Sequence, residues 1–128
     1  MNKYTSMFHS LRSLLMVGAF AMPLAAVAAD FPAGAYVAHK SITLTFDAQG
    51  QFHVNDGKGT QVSGRYTVKG DQLELTDTEG PWACTKTGEQ SGTYTWKYAG
   101  SVLTLTKVTD SCQDRVGTLA AVSWKRPQ

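Results

Sequence analysis

Six aromatic side chains, one cluster of acids around an arginine and two histidines are the groups outside the first 29 residues that could bind or react. The histidines are His39, beside a turn signal, and His53, on the polar side of an alternating run. Neither belongs to a Gly-x-Ser-x-Gly elbow, a His-Glu-x-x-His pair or a glycine-rich phosphate loop, and none of these motifs occurs in the chain. Catalysis needs several groups in mutual geometry, so no enzyme and no cofactor is expected. The acids Asp77, Glu79, Asp110 and Asp114 flank two cysteines, with Arg115 among them. Oxygen ligands suit a hard cation, but Asp110-x-x-x-Asp114 matches no calcium loop and Arg115 brings a positive charge. An ion-paired cluster in which Arg115 bonds a carboxylate is expected, and no metal. The candidate aromatics are Tyr66, Tyr94, Trp96, Tyr98, Trp124 and, in a loop, Trp82. Tyr66, Tyr94, Trp96 and Trp82 are the candidate ligand contacts, because aromatic walls carrying a polar tip suit a small apolar or aromatic ligand.

The elements that must position these groups read as short strands. Alternation of apolar and polar residues runs through Gly34–Ala38, Ile42–Phe46, Gln51–Asn55, Val62–Lys69, Gln72–Asp77, Gly92–Ala99, Val102–Val108 and Thr118–Lys125. Tyr66, Val62 and Val68 fall on one inward face. Tyr94, Trp96 and Tyr98 fall on another, and Ala120, Val122 and Trp124 on a third. Turn signals separate the runs, among them Asp47-Ala48-Gln49-Gly50, Asp56-Gly57-Lys58-Gly59, Gly70-Asp71 and Gly100-Ser101. No helical period is evident. Connections this short force neighbouring strands to be antiparallel, since a parallel crossover needs about a dozen residues. Eight such strands, each with one apolar face, predict an all-β, up-and-down barrel, whose closure removes exposed sheet edges. A barrel of this size is filled by its own side chains or holds one small ligand.

A weak repeat supports two similar hairpins. Gly64-x-Tyr66-Thr67-Val68-Lys69 returns as Gly92-x-Tyr94-Thr95-Trp96-Lys97, and each tyrosine stands the same distance before a cysteine. Cys84 and Cys112 are the only cysteines. Their disulfide would tie together the loops that follow the two hairpins, closing about 28 residues and contributing about 3.5 kcal/mol on the chain-entropy account.

The compartment is read from the N-terminus. Lys3 and Arg12 precede an apolar run from Leu14 to Val27, and Ala26-Val27-Ala28-Ala29-Asp30 offers small residues for signal peptidase. Residues 1–29 therefore read as a cleavable signal peptide and residues 30–128 as a single exported domain, periplasmic or extracellular. The apolar run falls short of the roughly 20 residues that span a bilayer, so no membrane anchor is expected after cleavage. Of 12 Lys+Arg and 10 Asp+Glu, Lys3 and Arg12 leave with the signal and no acid does, so what remains is balanced. Neutrality gives no electrostatic basis for binding nucleic acid or an anionic membrane.

With these features the chain resembles the small secreted lipocalin-like domains of calycin type. Gly34-x-Tyr36 stands where lipocalins open with Gly-x-Trp, and Arg126 follows the last run where a lipocalin arginine closes over that aromatic. The resemblance continues through Gly80-Pro81-Trp82-Ala83-Cys84, Gly92-x-Tyr94-x-Trp96, Asp110-x-Cys112-x-x-Arg115 and Trp124. It implies a lipocalin-like barrel and, among compact bacterial relatives, no defined activity. Tyr36 replaces tryptophan, and the domain is shorter than an ordinary lipocalin. The Ser-Gly-x-x-Tyr motif of one lysozyme-inhibitor family is not reproduced, because Ser63-Gly64-Arg65-Tyr66 and Ser91-Gly92-Thr93-Tyr94 bring the tyrosine one position early. The leading expectation is a non-catalytic barrel binding a small apolar ligand at one open end. The alternative is a protein-interaction module, such as an inhibitor of an extracytoplasmic enzyme. An open or a filled interior separates the two.

Overall fold

Strict alternation with β-branched and aromatic residues builds the strands where it is strongest: Ile42-Thr43-Leu44-Thr45-Phe46 buries Leu44 and Phe46 inside and leaves the threonines outside. In the computed structural model, which describes Gly18, residues 30–39 and residues 41–128, this pattern repeats around a closed barrel. The strands are β1 (Gly34–Ala38), β2 (Ile42–Phe46), β3 (Gln51–Asn55), β4 (Thr60–Lys69), β5 (Gln72–Glu79), β6 (Ser91–Ala99), β7 (Val102–Thr109) and β8 (Ser123–Lys125). Each pairs antiparallel with its neighbour in sequence, and β1 pairs with β8 to close the ring. The expected eight-stranded antiparallel up-and-down barrel is the fold. The expected signal segment, residues 1–29, lies outside the described residues apart from Gly18. Among the described residues no helix is long and apolar enough to cross a membrane.

The interior is filled. Trp124, Tyr36, Tyr94, Phe46 and Phe52 are essentially inaccessible, with leucines from β2, β5 and β7 packed between them. Full burial of each such side chain contributes on the order of 2–3 kcal/mol.

Up-and-down topology sorts the connections by end. The turns at 47–50, 70–71 and 100–101 gather with the start of β1 and with Arg126 at what we term the aromatic end. His39 and Ser41, the turn at 56–59, the loop 80–90 and the segment 110–122 gather at the opposite, disulfide end, where Cys84 and Cys112 are bridged.

Two expectations are corrected. The run read as one strand, Thr118–Lys125, is instead a short helix α1 (Gln113–Leu119) followed by the three-residue β8. Cys112 caps the helix, its Sγ accepting from the Arg115 N–H, and Leu119 buries in the core. Gly117 inside the helix, and an arginine rather than an apolar residue one turn before Leu119 on the buried face, conceal its period. Tyr98 shares the inward face of its partner Leu103 but is not buried in the core. It is 38% exposed, and its ring meets that of Tyr36.

Candidate functional site

Disulfide formation brings the loop 80–90 against α1, and a polar network fixes the two. Arg115, although charged, is almost wholly buried. Its Nε and Nη2 donate to Asp110 Oδ2 and Oδ1, each at 2.7 Å, in a bidentate fork. Nη1 lies 3.0 Å from Asp77 Oδ2 and donates to the Gln90 carbonyl, and Nη2 donates also to the Glu89 carbonyl. Four of the five N–H groups of the guanidinium thus donate hydrogen bonds, and Nη1 also forms an ion pair with Asp77. Tyr94, from the barrel interior, donates its hydroxyl to Asp110 Oδ2, while the Cys112 N–H donates to Oδ1.

Gly92 makes this approach possible: a Cβ there would lie 2.1 Å from Asp110 Oδ2. Gly64 has the equivalent role in the other copy of the repeat, where a Cβ would strike the Phe52 ring and the Thr76 carbonyl. The expected pairing of Arg115 with a carboxylate is thus present, with Asp77 and Asp110. Glu79 and Asp114 stay exposed.

The two buried carboxyls are tuned in opposite directions. Burial by itself raises the Asp110 pKa, but the bonds from Arg115, Tyr94 and the Cys112 amide outweigh it and hold the group below its usual range. At Asp77 burial prevails, raising its pKa against the opposing pull of the Cys84 N–H and Arg115. The geometry agrees: Asp77 Oδ2 accepts from Cys84 N–H at 2.8 Å and faces Arg115, whereas Oδ1 is buried with no hydrogen-bond partner. Burial also raises the Tyr94 pKa, reinforced by the Asp110 carboxylate.

Beside Asp77 a half-open cleft of about 520 Å³ runs between the barrel wall and the helix. Phe52, Val54 and Val62 line it from β3 and β4, Pro81, Trp82 and Ala83 from the loop, and residues from Gln113 to Leu119 from α1. Trp82 is 44% exposed, its backbone held by an N–H bond of 3.0 Å to the Gln61 carbonyl. Among the described residues no group of three His, Cys, Asp or Glu is arranged to hold a metal ion.

The aromatic end is built differently. Phe31 inserts between Phe46, Tyr66 and Trp96, with ring centroids 5.0, 5.7 and 5.4 Å away. The Tyr66 hydroxyl donates to the Asp47 carbonyl at 2.5 Å, and Trp96 Nε1 donates to the Gly70 carbonyl at 2.9 Å. Arg126 lies over the Tyr36 ring, its Cζ 4.3 Å from the centroid, and donates to the Ala33 carbonyl at 2.7 Å. The Tyr36 hydroxyl donates to the Pro32 carbonyl, and burial pushes its pKa up to about 12.

The candidate contacts are therefore divided. Tyr66 and Trp96 meet on Phe31 at one end, Tyr94 is sealed in the interior, and Trp82 stands on the cleft rim at the other end. His53 Nδ1 lies 3.1 Å from Ser63 Oγ, and His39 occupies the left-handed turn between β1 and β2. Sequence reasoning missed Phe31, which precedes any alternating run, and the inward role of Asp77. The second carried a signal, because Leu73-x-Leu75-x-Asp77 continues a single face at period two. Comparison of the chain with protein-family models, curated proteins and solved structures finds no match.

Proposed function

We propose that this protein is a non-catalytic, exported, lipocalin-like barrel that binds a small, mostly apolar ligand in the cleft at its disulfide end. The cleft volume of about 520 Å³ carries this reading. It falls within the roughly 300–1,000 Å³ of small-molecule sites, and its walls are mainly apolar with a few fixed polar groups. The cleft lies at one end of the barrel, where the inward-facing Phe52, Val54 and Val62 meet Leu119, in keeping with the open end expected from the sequence. The lipocalin-like assignment is supported by the up-and-down closure and by Arg126 stacked on the tyrosine of Gly34-x-Tyr36. Export is supported by the signal-like N-terminus and by the disulfide.

Titration of the isotope-labelled oxidised protein with the lipophilic probe N-phenyl-1-naphthylamine tests the site. Saturable amide shifts confined to β3, β4, residues 80–85 and α1 are expected. Absence of binding, or shifts only around Phe31, Tyr66 and Trp96, would overturn the reading. Mass analysis of the protein recovered from its producing cell tests export, the expected chain starting at Ala29 or Asp30.

A second reading, a protein-interaction module, draws on one observation: Trp82 is exposed on a loop pinned by the bridge. Tryptophan is over-represented among residues that dominate binding interfaces. Loss of a partner's affinity by at least about tenfold on Trp82→Ala, with the probe still bound, would favour it.

A further inference from the structure

The cleft offers a ligand acceptors and no donor of comparable strength. Asp77, Asp114 and Arg115 are its charged lining residues. Arg115 is almost wholly buried and already committed, donating to Asp110, Glu89 and Gln90 and pairing with Asp77. The buried cluster sets two carboxyls, Asp77 and Asp110, against this one guanidinium. Asp110 is saturated by Arg115, Tyr94 and the Cys112 amide. Asp77 is not: its Oδ1 is buried and unpartnered on a residue only 5% exposed that lines the cleft. A buried acceptor without a donor is costly, and a nearby positive charge would favour the ionised form of a carboxyl whose burial disfavours it. Trp82 and Pro81 line the same cleft. An indole is the side chain whose face attracts a cation most strongly.

Resting on the proposed binding role, we infer that the ligand of this cleft is a small organic cation, an amine whose ammonium pairs with the Asp77 carboxyl and whose apolar body lies against Trp82 and the β3–β4 wall. An anion is disfavoured because Arg115, the one cation lining the cleft, already faces the two carboxyls of Asp77 and Asp110. A neutral ligand would fill the apolar part but leave the excess negative charge of the cluster unmatched. Asp114, exposed on α1 and lining the same cleft, adds to the preference without being desolvated.

The test uses three probes with similar apolar bodies: 2-phenylethylamine, 2-phenylethanol and 3-phenylpropionate. Each is titrated into the oxidised protein at neutral pH and followed by amide shifts. The amine should bind at least about tenfold more tightly than the alcohol, the advantage of a charge-assisted over a neutral hydrogen bond, and the carboxylate weakest. Its shifts should centre on Asp77, Trp82 and α1. Asp77→Asn should abolish the advantage of the amine over the alcohol. If that variant fails to fold, the wild-type probe series decides the matter unaided. Equal affinities for amine and alcohol, a preference for the carboxylate, or amine shifts away from the cleft would each overturn the inference. If N-phenyl-1-naphthylamine still binds in the cleft, the inference fails alone; if neither it nor the amine binds there, the proposed function falls with it.

Discussion

The two ends of the barrel solve the same problem in different ways. At the aromatic end the chain supplies its own occupant: Phe31 fills the space between Phe46, Tyr66 and Trp96, and Arg126 straps the preceding segment over Tyr36. At the disulfide end the covering parts come from distant points in sequence, and polar groups hold them. Arg115 joins residues 77, 89, 90 and 110, and the bridge joins residues 84 and 112. Apolar side chains pack until space is full. A directional network fixes its members at set distances and leaves a groove wherever no side chain is aimed. The difference teaches that a barrel filled through its middle can still keep a ligand-sized space at the end that is held by geometry rather than by volume.

The comparison is broken most severely at Arg115. Arg115→Met leaves Asp77 and Asp110 buried without their cation, so a loss of about 3–5 kcal/mol is expected in urea unfolding. A loss below about 1 kcal/mol would mean that the network does not hold this end. Reduction of Cys84–Cys112 ranks next, with a loss of about 2–5 kcal/mol and a melting temperature lower by roughly 10–20 °C. Hydrogen exchange in the reduced protein should accelerate in residues 80–90 and α1 before the turns at 47–50 and 70–71. Equal acceleration at both ends would erase the distinction.

At the aromatic end, Phe31→Ala should cost about 2 kcal/mol, less than truncating a fully buried phenylalanine because Phe31 is only partly covered. The space it vacates should accept benzene, read as a raised melting temperature in the variant and none in the wild type. No gain with benzene would show that the end collapses around the loss.

The smallest effect sharpens the disulfide end alone. Carboxyl carbon shifts followed through acid should place the Asp77 midpoint above that of an ordinary aspartate and the Asp110 midpoint below it. For Asp110, depressed in the fold, the stabilisation is present above the unfolded value and is lost as pH falls through the folded one. For Asp77 the sign reverses: stability declines as pH rises through the window above the unfolded value, where the unfolded chain has already released its proton. A reversed order of the two midpoints would contradict the assignment of Oδ1 as the unpartnered oxygen.

Much of the fold was legible because alternation at period two states directly which residues face inward. Ile42–Phe46 and Gln51–Asn55 appear with the bounds read from the sequence, and the strands from Thr60 to Thr109 differ only by a residue or two at their ends. The candidate site was legible in part. Trp82, the cysteines and the Arg115 ion pairs were visible, since residue type and spacing suffice for them. The division of Tyr66 and Trp96 from Trp82 was not, because which aromatics share an end depends on how up-and-down strands alternate in direction.

By itself, then, the sequence determined the number of strands, their inward faces, the antiparallel order that short turns impose and the pairing of its two cysteines. Only the tertiary structure decided that Gln113–Leu119 is a helix, that Phe31 occupies the aromatic end and that Asp77 is left with one oxygen unmatched. The physical reason is range. Turns and alternation act over a few residues, whereas the helix, the plug and the cluster exist because barrel closure brings residues 31, 77 and 115 against partners far away in the chain.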